Sequence, residues 1–207
     1  MHSEIFNRTK SLTMNSNRIE VKKLRLQFAN KDCNIPTEPG VYRWWFPKEI
    51  AEKLLLPLEC VDNKSIDKDD VNGEQYWCLY LGISKNLRQR IRWHIAQKHT
   101  RSAVDSGYLS TLRKTISALL DPKKNPMETE QAVNKVLDEC YWDWETMPTH
   151  SEAKEKEKEI LSKKYLPLNI QDNNFVDASV IKKLKKLRRE YKDENIQRFL
   201  SQRACGC

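Results

Sequence analysis

The run Tyr76-Trp-Cys-Leu-Tyr-Leu-Gly-Ile83, followed at once by Ser84-Lys-Asn-Leu-Arg-Gln-Arg-Ile-Arg-Trp-His94, carries the transition that sets the fold. Its first half is dense in aromatic and aliphatic residues and fits a buried strand. In its second half Leu87, Ile91 and Ile95 recur every four residues, the apolar face of a helix that opens at Ser84 and runs to about His99. Arg90 and His94 are also four apart, one position from that stripe. Both therefore stand on its margin, where a cleft would begin.

Upstream, Pro39-Gly40 marks a turn, and Val41-Tyr-Arg-Trp-Trp-Phe46 predicts another strand stopped by Pro47. Lys48 to Leu56 has helical spacing, and Asp62 to Glu74 is a polar loop containing Asn72-Gly73, so the chain makes an excursion between its first two strands. Before them, Ile19 to Phe28 reads as a short strand or an irregular arm.

Downstream, a helix covers about Leu109 to Leu120, and Lys135 to Glu145, with Tyr141, Trp142 and Trp144, suggests a third strand. Thr149 and Glu152 are spaced as a capping box for a helix to about Tyr165, where Pro167 stops it. Ala178 to Arg203 places Val180, Leu184, Leu187 and Tyr191 on one face of a basic C-terminal helix.

The 207 residues suffice for one well-buried core, so one domain with extensions is expected. Lysine and arginine outnumber acids 37 to 29, a formal charge of +8 that favours a polyanionic partner without proving one. The longest apolar stretch, Ile50 to Leu58, is broken by Glu52, Lys53 and Pro57 and is too short to cross a bilayer. The polar N-terminus, with Met14 as an alternative start, has no leader of signal-peptide type, and a cytoplasmic protein is expected. Cys33, Cys60, Cys78, Cys140, Cys205 and Cys207 lack paired zinc-site spacings, which points to reduced, buried or bystander thiols. Cys205-Gly206-Cys207 reads as an unstructured tail before a soft-metal site.

On the helix that begins after Thr149, Ala153, Ile160, Leu161 and Tyr165 form an apolar arc, and Glu157 falls inside it. Glu152, Glu155 and Glu159 point away and need only water. A carboxylate on a core-facing side is costly unless paired, protonated or bound to a cation, so Glu157 wants a partner: a buried lysine or arginine, or a metal. Tyr42 and Tyr80 lie in the first two strands, and Arg90 and His94 on the helix leaving the second. Singly each has a structural explanation. Together two phenols, a guanidinium, an imidazole and a semi-buried carboxylate supply what phosphodiester hydrolysis requires: a proton acceptor, a phosphate clamp and a ligand for a hard cation.

These residues resemble the GIY-YIG nucleases. Gly40-Val41-Tyr42 looks like the first half of the family's name motif and Tyr80-Leu81-Gly82 like the second. Asn86-Leu87 matches its asparagine-leucine pair, and Arg90 its arginine ten positions beyond the second tyrosine. His94 falls where many members carry histidine or tyrosine, and Glu157 followed twelve positions on by Asn169 matches its glutamate helix. The two tyrosines stand 38 positions apart, against a short hairpin in compact members, which implies an insertion at about 47–75.

The resemblance implies an α/β (α+β) fold: a three-stranded antiparallel sheet flanked by helices, with an N-terminal arm at 1–38, the nuclease domain at 39–172 and a basic helical extension at 173–207. It implies a metal-dependent DNA endonuclease, of restriction type or from a phage or mobile element. One Mg2+ or Mn2+ would be held by Glu157, and Arg90 would stabilise charge on the scissile phosphate. A tyrosine, Tyr42 ahead of Tyr80, would activate water with help from His94, and Asn169 would brace the site. The competing reading is an inactive GIY-YIG module that binds nucleic acid or protein.

Between Lys85 and Lys114 eight basic residues face one acid, Asp105, and from Ala178 to Arg203 nine face three. Either run is a solvated face or a phosphate-facing one. On the second reading Lys85, Arg88 and Arg92 serve the site, while Lys182, Lys183, Lys185 and Lys186 grip double-stranded DNA outside it. Cutting both strands with one site per chain would then suit a homodimer on DNA.

Overall fold

The computed structural model describes residues 12–59, 61–121 and 126–204. Cys60 and the terminal Cys205-Gly206-Cys207 lie outside them. Five strands form one antiparallel sheet, in the order β1 (Arg18–Glu20), β5 (Tyr141–Thr146), β2 (Gly40–Pro47), β4 (Glu74–Ser84) and β3 (Lys68–Val71). The three central strands are those expected from sequence. The sheet is wider than the expected three because two short polar strands extend its edges.

Each edge strand has a local cause. Asn72 and Gly73 take positive φ angles of 54° and 86°, so the supposed polar loop closes as a two-residue hairpin with Val71 opposite Glu74. On the other side Arg18–Glu20 pairs with Tyr141–Asp143 and leads directly into α1 (Val21–Asn30). The short strand or irregular arm expected at Ile19 to Phe28 is thus a strand only through Glu20 and helix beyond it, and that helix buries Val21 and Leu24 completely.

Between β2 and β4 run α2 (Lys48–Leu55) and a 3-10 turn at Leu56–Leu58. After β4 come α3 (Leu87–Ala96), α4 (Arg101–Asp105), α5 (Thr111–Leu120) and α6 (Pro126–Asp138). The last of these occupies the start of the stretch read as a third strand, which begins only at Tyr141. Then follow α7 (His150–Leu161), which stops short of Tyr165, and α8 (Ala178–Ala204). The Thr149 hydroxyl caps α7 by accepting from the Glu152 amide. The first half of α8 seats Val180, Leu184, Leu187 and Tyr191 in the main core.

The sheet is covered on both faces. Tyr42, Trp44 and Phe46 of β2 join the larger core with α1, α3, α5 and α8, while Val41 and Trp45 join a smaller one with Ala153 and Leu161 of α7. A β-bulge decides which face Tyr80 serves. Trp44 pairs with Tyr80 but Trp45 pairs with Cys78, so Leu79 is an extra residue in β4. Leu79 and Tyr80 consequently both enter the larger core, and the alternation resumes with Leu81 on the opposite face.

Two buried ionic arrangements hold the frame. Arg43 of β2 lies opposite Asp143 of β5, and its Nε and one terminal nitrogen each donate to a carboxylate oxygen at 2.8 Å. Asp143 also accepts from Trp45 Nε1 and from the Asn15 amide, both at 3.0 Å, and burial pushes its carboxyl above the usual range. Arg113 of α5 is fully buried. It donates to the His94 carbonyl at 2.7 Å, His99 Nε2 at 2.8 Å and Asn134 Oδ1 at 2.8 Å, bracing the C-terminal end of α3. Arg25 adds a second brace there, donating to the Ile95 carbonyl and to Asp138. Arg113 was counted in the first basic patch on sequence; its burial removes it from any phosphate-facing surface.

Candidate functional site

The site is built where β2, β4 and α3 converge. Gly40 sits so close to the Glu145 carbonyl and to Leu87 that a Cβ would collide with both. Gly82 lies opposite Tyr42 in the β2–β4 ladder, and a Cβ there would meet the Tyr42 ring carbon and hydroxyl at 2.5 Å. The glycines of both motif halves are thus places where only hydrogen fits.

Over Gly82, the Tyr42 hydroxyl lies 2.9 Å from His94 Nε2, and His94 Nδ1 lies 3.2 Å from the Ser110 hydroxyl that caps α5. Burial, then the Arg90 and Arg113 guanidinium groups, lowers the His94 pKa to about 3, so the ring is neutral at physiological pH. Burial, and secondarily Tyr80, raises the Tyr42 phenol well above its usual range. A protonated phenol donates, so Nε2 is the acceptor and Nδ1 carries the ring hydrogen toward Ser110.

Tyr80 stands nearer the surface. It lines a pocket of about 260 Å³ with Glu157, Asn169, Asp172, Thr111 and Arg188. Burial and the Glu157 charge push its phenol up to about 12, against the opposing pull of Arg90 and Arg188. Glu157 is half-buried, as its place in the apolar arc of α7 requires. It has neither a hydrogen bond nor an ion pair among the described residues. Burial, then the neighbouring Asp172 carboxylate, raises its pKa, with Lys154 opposing. Of the two partners open on sequence, a buried lysine or arginine is not paired with it among the described residues.

Asn169 turns its amide onto β4, accepting from the Leu81 amide at 2.9 Å and donating to the Leu81 carbonyl at 2.8 Å. β3 pairs only with Glu74–Trp77, so Asn169, together with Leu168, closes an edge that lacks a neighbouring strand. Arg90 reaches out over the Trp93 ring at 5.0 Å into an adjoining recess that also presents Lys85, Arg92 and His150. Arg88 is exposed, with its Nε held by the Ile35 carbonyl at 2.6 Å. On α8, Lys182, Lys185 and Lys186 line a large open groove that shares Ile170 and Asp172 with the Glu157 pocket. Lys183 instead pairs with Glu59 at 2.9 Å. The structure thus gathers Tyr42, Tyr80, Arg90, His94 and Glu157 around one corner of the sheet. Arg188, which sequence reasoning counted only as part of a basic run, joins them.

Residues 40–190 match the sequence profile of the GIY-YIG catalytic domain. The chain belongs to the GIY-YIG family. No curated protein and no solved structure matches it. The GIY-YIG domain is a nuclease domain, which implies a nucleic-acid substrate, and the matched span takes in β2 through the first half of α8. Among the described residues no group of three or more His, Cys, Asp or Glu side chains could hold a metal, and no helix is long and apolar enough to cross a membrane.

The histidines of this GIY-YIG domain predict its acid response. His94 and His99 are buried, and burial, with Arg113 nearby, lowers both to about 3. Below about pH 6.5 the unfolded chain protonates them while the folded chain does not, so stability falls as pH drops. From pH 7 to pH 5 the two together cost about 2–4 kcal/mol. Urea unfolding at the two pH values measures this; a difference under about 0.5 kcal/mol would contradict it.

Proposed function

We propose that this GIY-YIG protein is a metal-dependent endonuclease that hydrolyses phosphodiester bonds in double-stranded DNA. The observation that carries the reading is Glu157: a half-buried carboxylate with no cationic partner among the described residues, in the same pocket as Tyr80. The Glu157 and Asp172 carboxylates and the Tyr80 and Thr111 hydroxyls of this pocket are oxygen donors that fit Mg2+ or Mn2+, which take one or two carboxylates and complete their shell with water and phosphate. Glu157 would hold the ion, with Asp172 close enough to add negative charge. When bound, such an ion would supply Lewis-acid polarisation of the scissile phosphate.

The remaining steps fall to side chains. His94 Nε2, neutral and 2.9 Å from the Tyr42 hydroxyl, accepts its hydrogen bond and so fixes the phenol with its oxygen lone pairs free to orient the attacking water. Tyr80, at the pocket wall, orients that water. Arg90 meets the charge that builds on the phosphate oxygens. Asn169 holds Leu81, and with it the neighbouring Tyr80 backbone, in place. Lys85 and Arg92 beside Arg90, with Arg88 next to them, and Lys182, Lys185 and Lys186 along the α8 groove, offer phosphate contacts on either side of the pocket. Restriction-type or mobile-element cleavage suits this arrangement, and two copies on one duplex would cut both strands.

Incubation of supercoiled plasmid with Mg2+, Mn2+ or EDTA tests the activity: open-circular or linear product forms with metal and not with EDTA. DNA that is retained by the protein but never cut, whether of host or foreign origin, would mark an inactive binding module instead. Gly82→Ala probes the phenol's seat. Its methyl group must displace Tyr42 from His94, so cleavage falls about 100-fold, while the melting temperature drops by only a few degrees. Activity equal to wild type would show that the Tyr42–His94 contact is dispensable.

A further inference from the structure

Arg188 repeats on α8 the anomaly that Glu157 shows on α7. Its guanidinium is half-buried and lines the Glu157 pocket, yet it has no hydrogen bond and no ion pair among the described residues. Elsewhere the fold treats buried guanidinium groups differently: Arg43 is locked to Asp143, and Arg113 has three acceptors. An unpartnered buried cation is costly. Glu157 shares the pocket and could have relieved it, but the two opposite charges do not pair. Both line one space of about 260 Å³ without coming within ion-pair distance.

A phosphodiester suits that separation. The Glu157 end of the pocket attracts positive charge, and the Arg188 end offers a planar fork of donors that matches phosphate oxygens. Arg90 and Arg188 come from different helices, α3 and α8, and both act on Tyr80. The basic groove of Lys182, Lys185, Lys186 and Arg189 leads along α8 to this point, sharing Ile170 and Asp172 with the pocket. We propose that Arg188 is a substrate-binding residue of the site, contacting a phosphate of the bound strand opposite Arg90. The proposal rests on the nuclease reading above and adds a second cation to it, contributed by α8.

Arg188→Met removes the charge and keeps much of the volume, whereas Arg188→Lys keeps the charge without the fork. Three measurements are made on wild type and both variants: plasmid nicking with Mg2+, affinity for a short duplex in EDTA against salt concentration, and the thermal midpoint. The methionine variant is expected to nick about 100-fold more slowly and to bind with a log-log salt slope shallower by about one. The lysine variant is expected to keep the wild-type slope and recover part of the rate. Because the guanidinium has no partner to lose among the described residues, neither midpoint should fall. A methionine variant with wild-type rate and slope would overturn the assignment, and so would a lowered midpoint with the slope unchanged. If wild type itself nicks nothing, the nuclease reading fails separately, and the salt slope alone decides whether Arg188 contacts phosphate.

Discussion

Glu157→Ala, under the metal-bound reading proposed above, is expected to stop plasmid cleavage, lowering the rate by about a thousand-fold or more, because losing a metal ligand would remove several kcal/mol of transition-state stabilisation. Glu157→Gln, with the same shape and no charge, loses as much. The accompanying stability change distinguishes this from damage to the fold. Among the described residues Glu157 makes no hydrogen bond or ion pair that its removal would break, and burial disfavours its charged form. Both variants should therefore melt at or slightly above the wild-type temperature, the trade expected where a charge is kept for function. A glutamine variant that cleaves within about ten-fold of wild type, less than two kcal/mol of barrier, would remove Glu157 from the metal site.

Asp143→Ala has the opposite profile, with stability as its main casualty. It strands the buried Arg43 guanidinium and leaves Trp45 Nε1 and the Asn15 amide without their acceptor. Breaking one side of such a pair costs about 3–5 kcal/mol, a large fraction of a domain's total stability. The double variant Arg43→Met with Asp143→Leu should recover most of that loss, since two apolar groups of similar size leave nothing unsatisfied. Urea unfolding of the two variants gives the answer. An Asp143→Ala protein within about 1 kcal/mol of wild type would mean that the pair is already hydrated.

The difference between these two carboxylates shows what a linear sequence discloses. Glu157 was visible because its anomaly is local: an acid in the apolar arc of its own helix, framed by Ala153, Ile160 and Leu161. The strands around Tyr42 and Tyr80 were visible for the same reason, as was the stripe Leu87, Ile91, Ile95. Asp143 gave no such signal. Its partner is 100 positions away, and only the β2–β5 register brings Arg43 opposite it.

Arg113 and Arg188 were hidden similarly, as members of basic runs whose burial depends on helices packed from elsewhere. β3, with the sequence Lys-Asp-Asp-Val, has no strand signal of its own and owes its conformation to β4. The Asn72-Gly73 pair beside it was the readable clue, since that dipeptide favours a two-residue hairpin. α6 was obscured by the aromatic run that follows it, which drew the strand assignment too far upstream.

The bulge at Leu79 divides the β2–β4 ribbon into two stretches. On one side lie Gly40 to Trp44 against Tyr80 to Ser84, the stretch that carries Tyr42, Tyr80 and the two close-packed glycines. On the other lie Trp45 to Pro47 against Tyr76 to Cys78, from which the excursion through α2 and β3 departs. An extra residue already sits at the boundary, so length changes in the excursion end there and do not shift Tyr42 against Gly82. That makes the excursion the part of this protein most open to evolutionary rebuilding: new surface can be grafted onto it while the chemical half of the ribbon stays in frame.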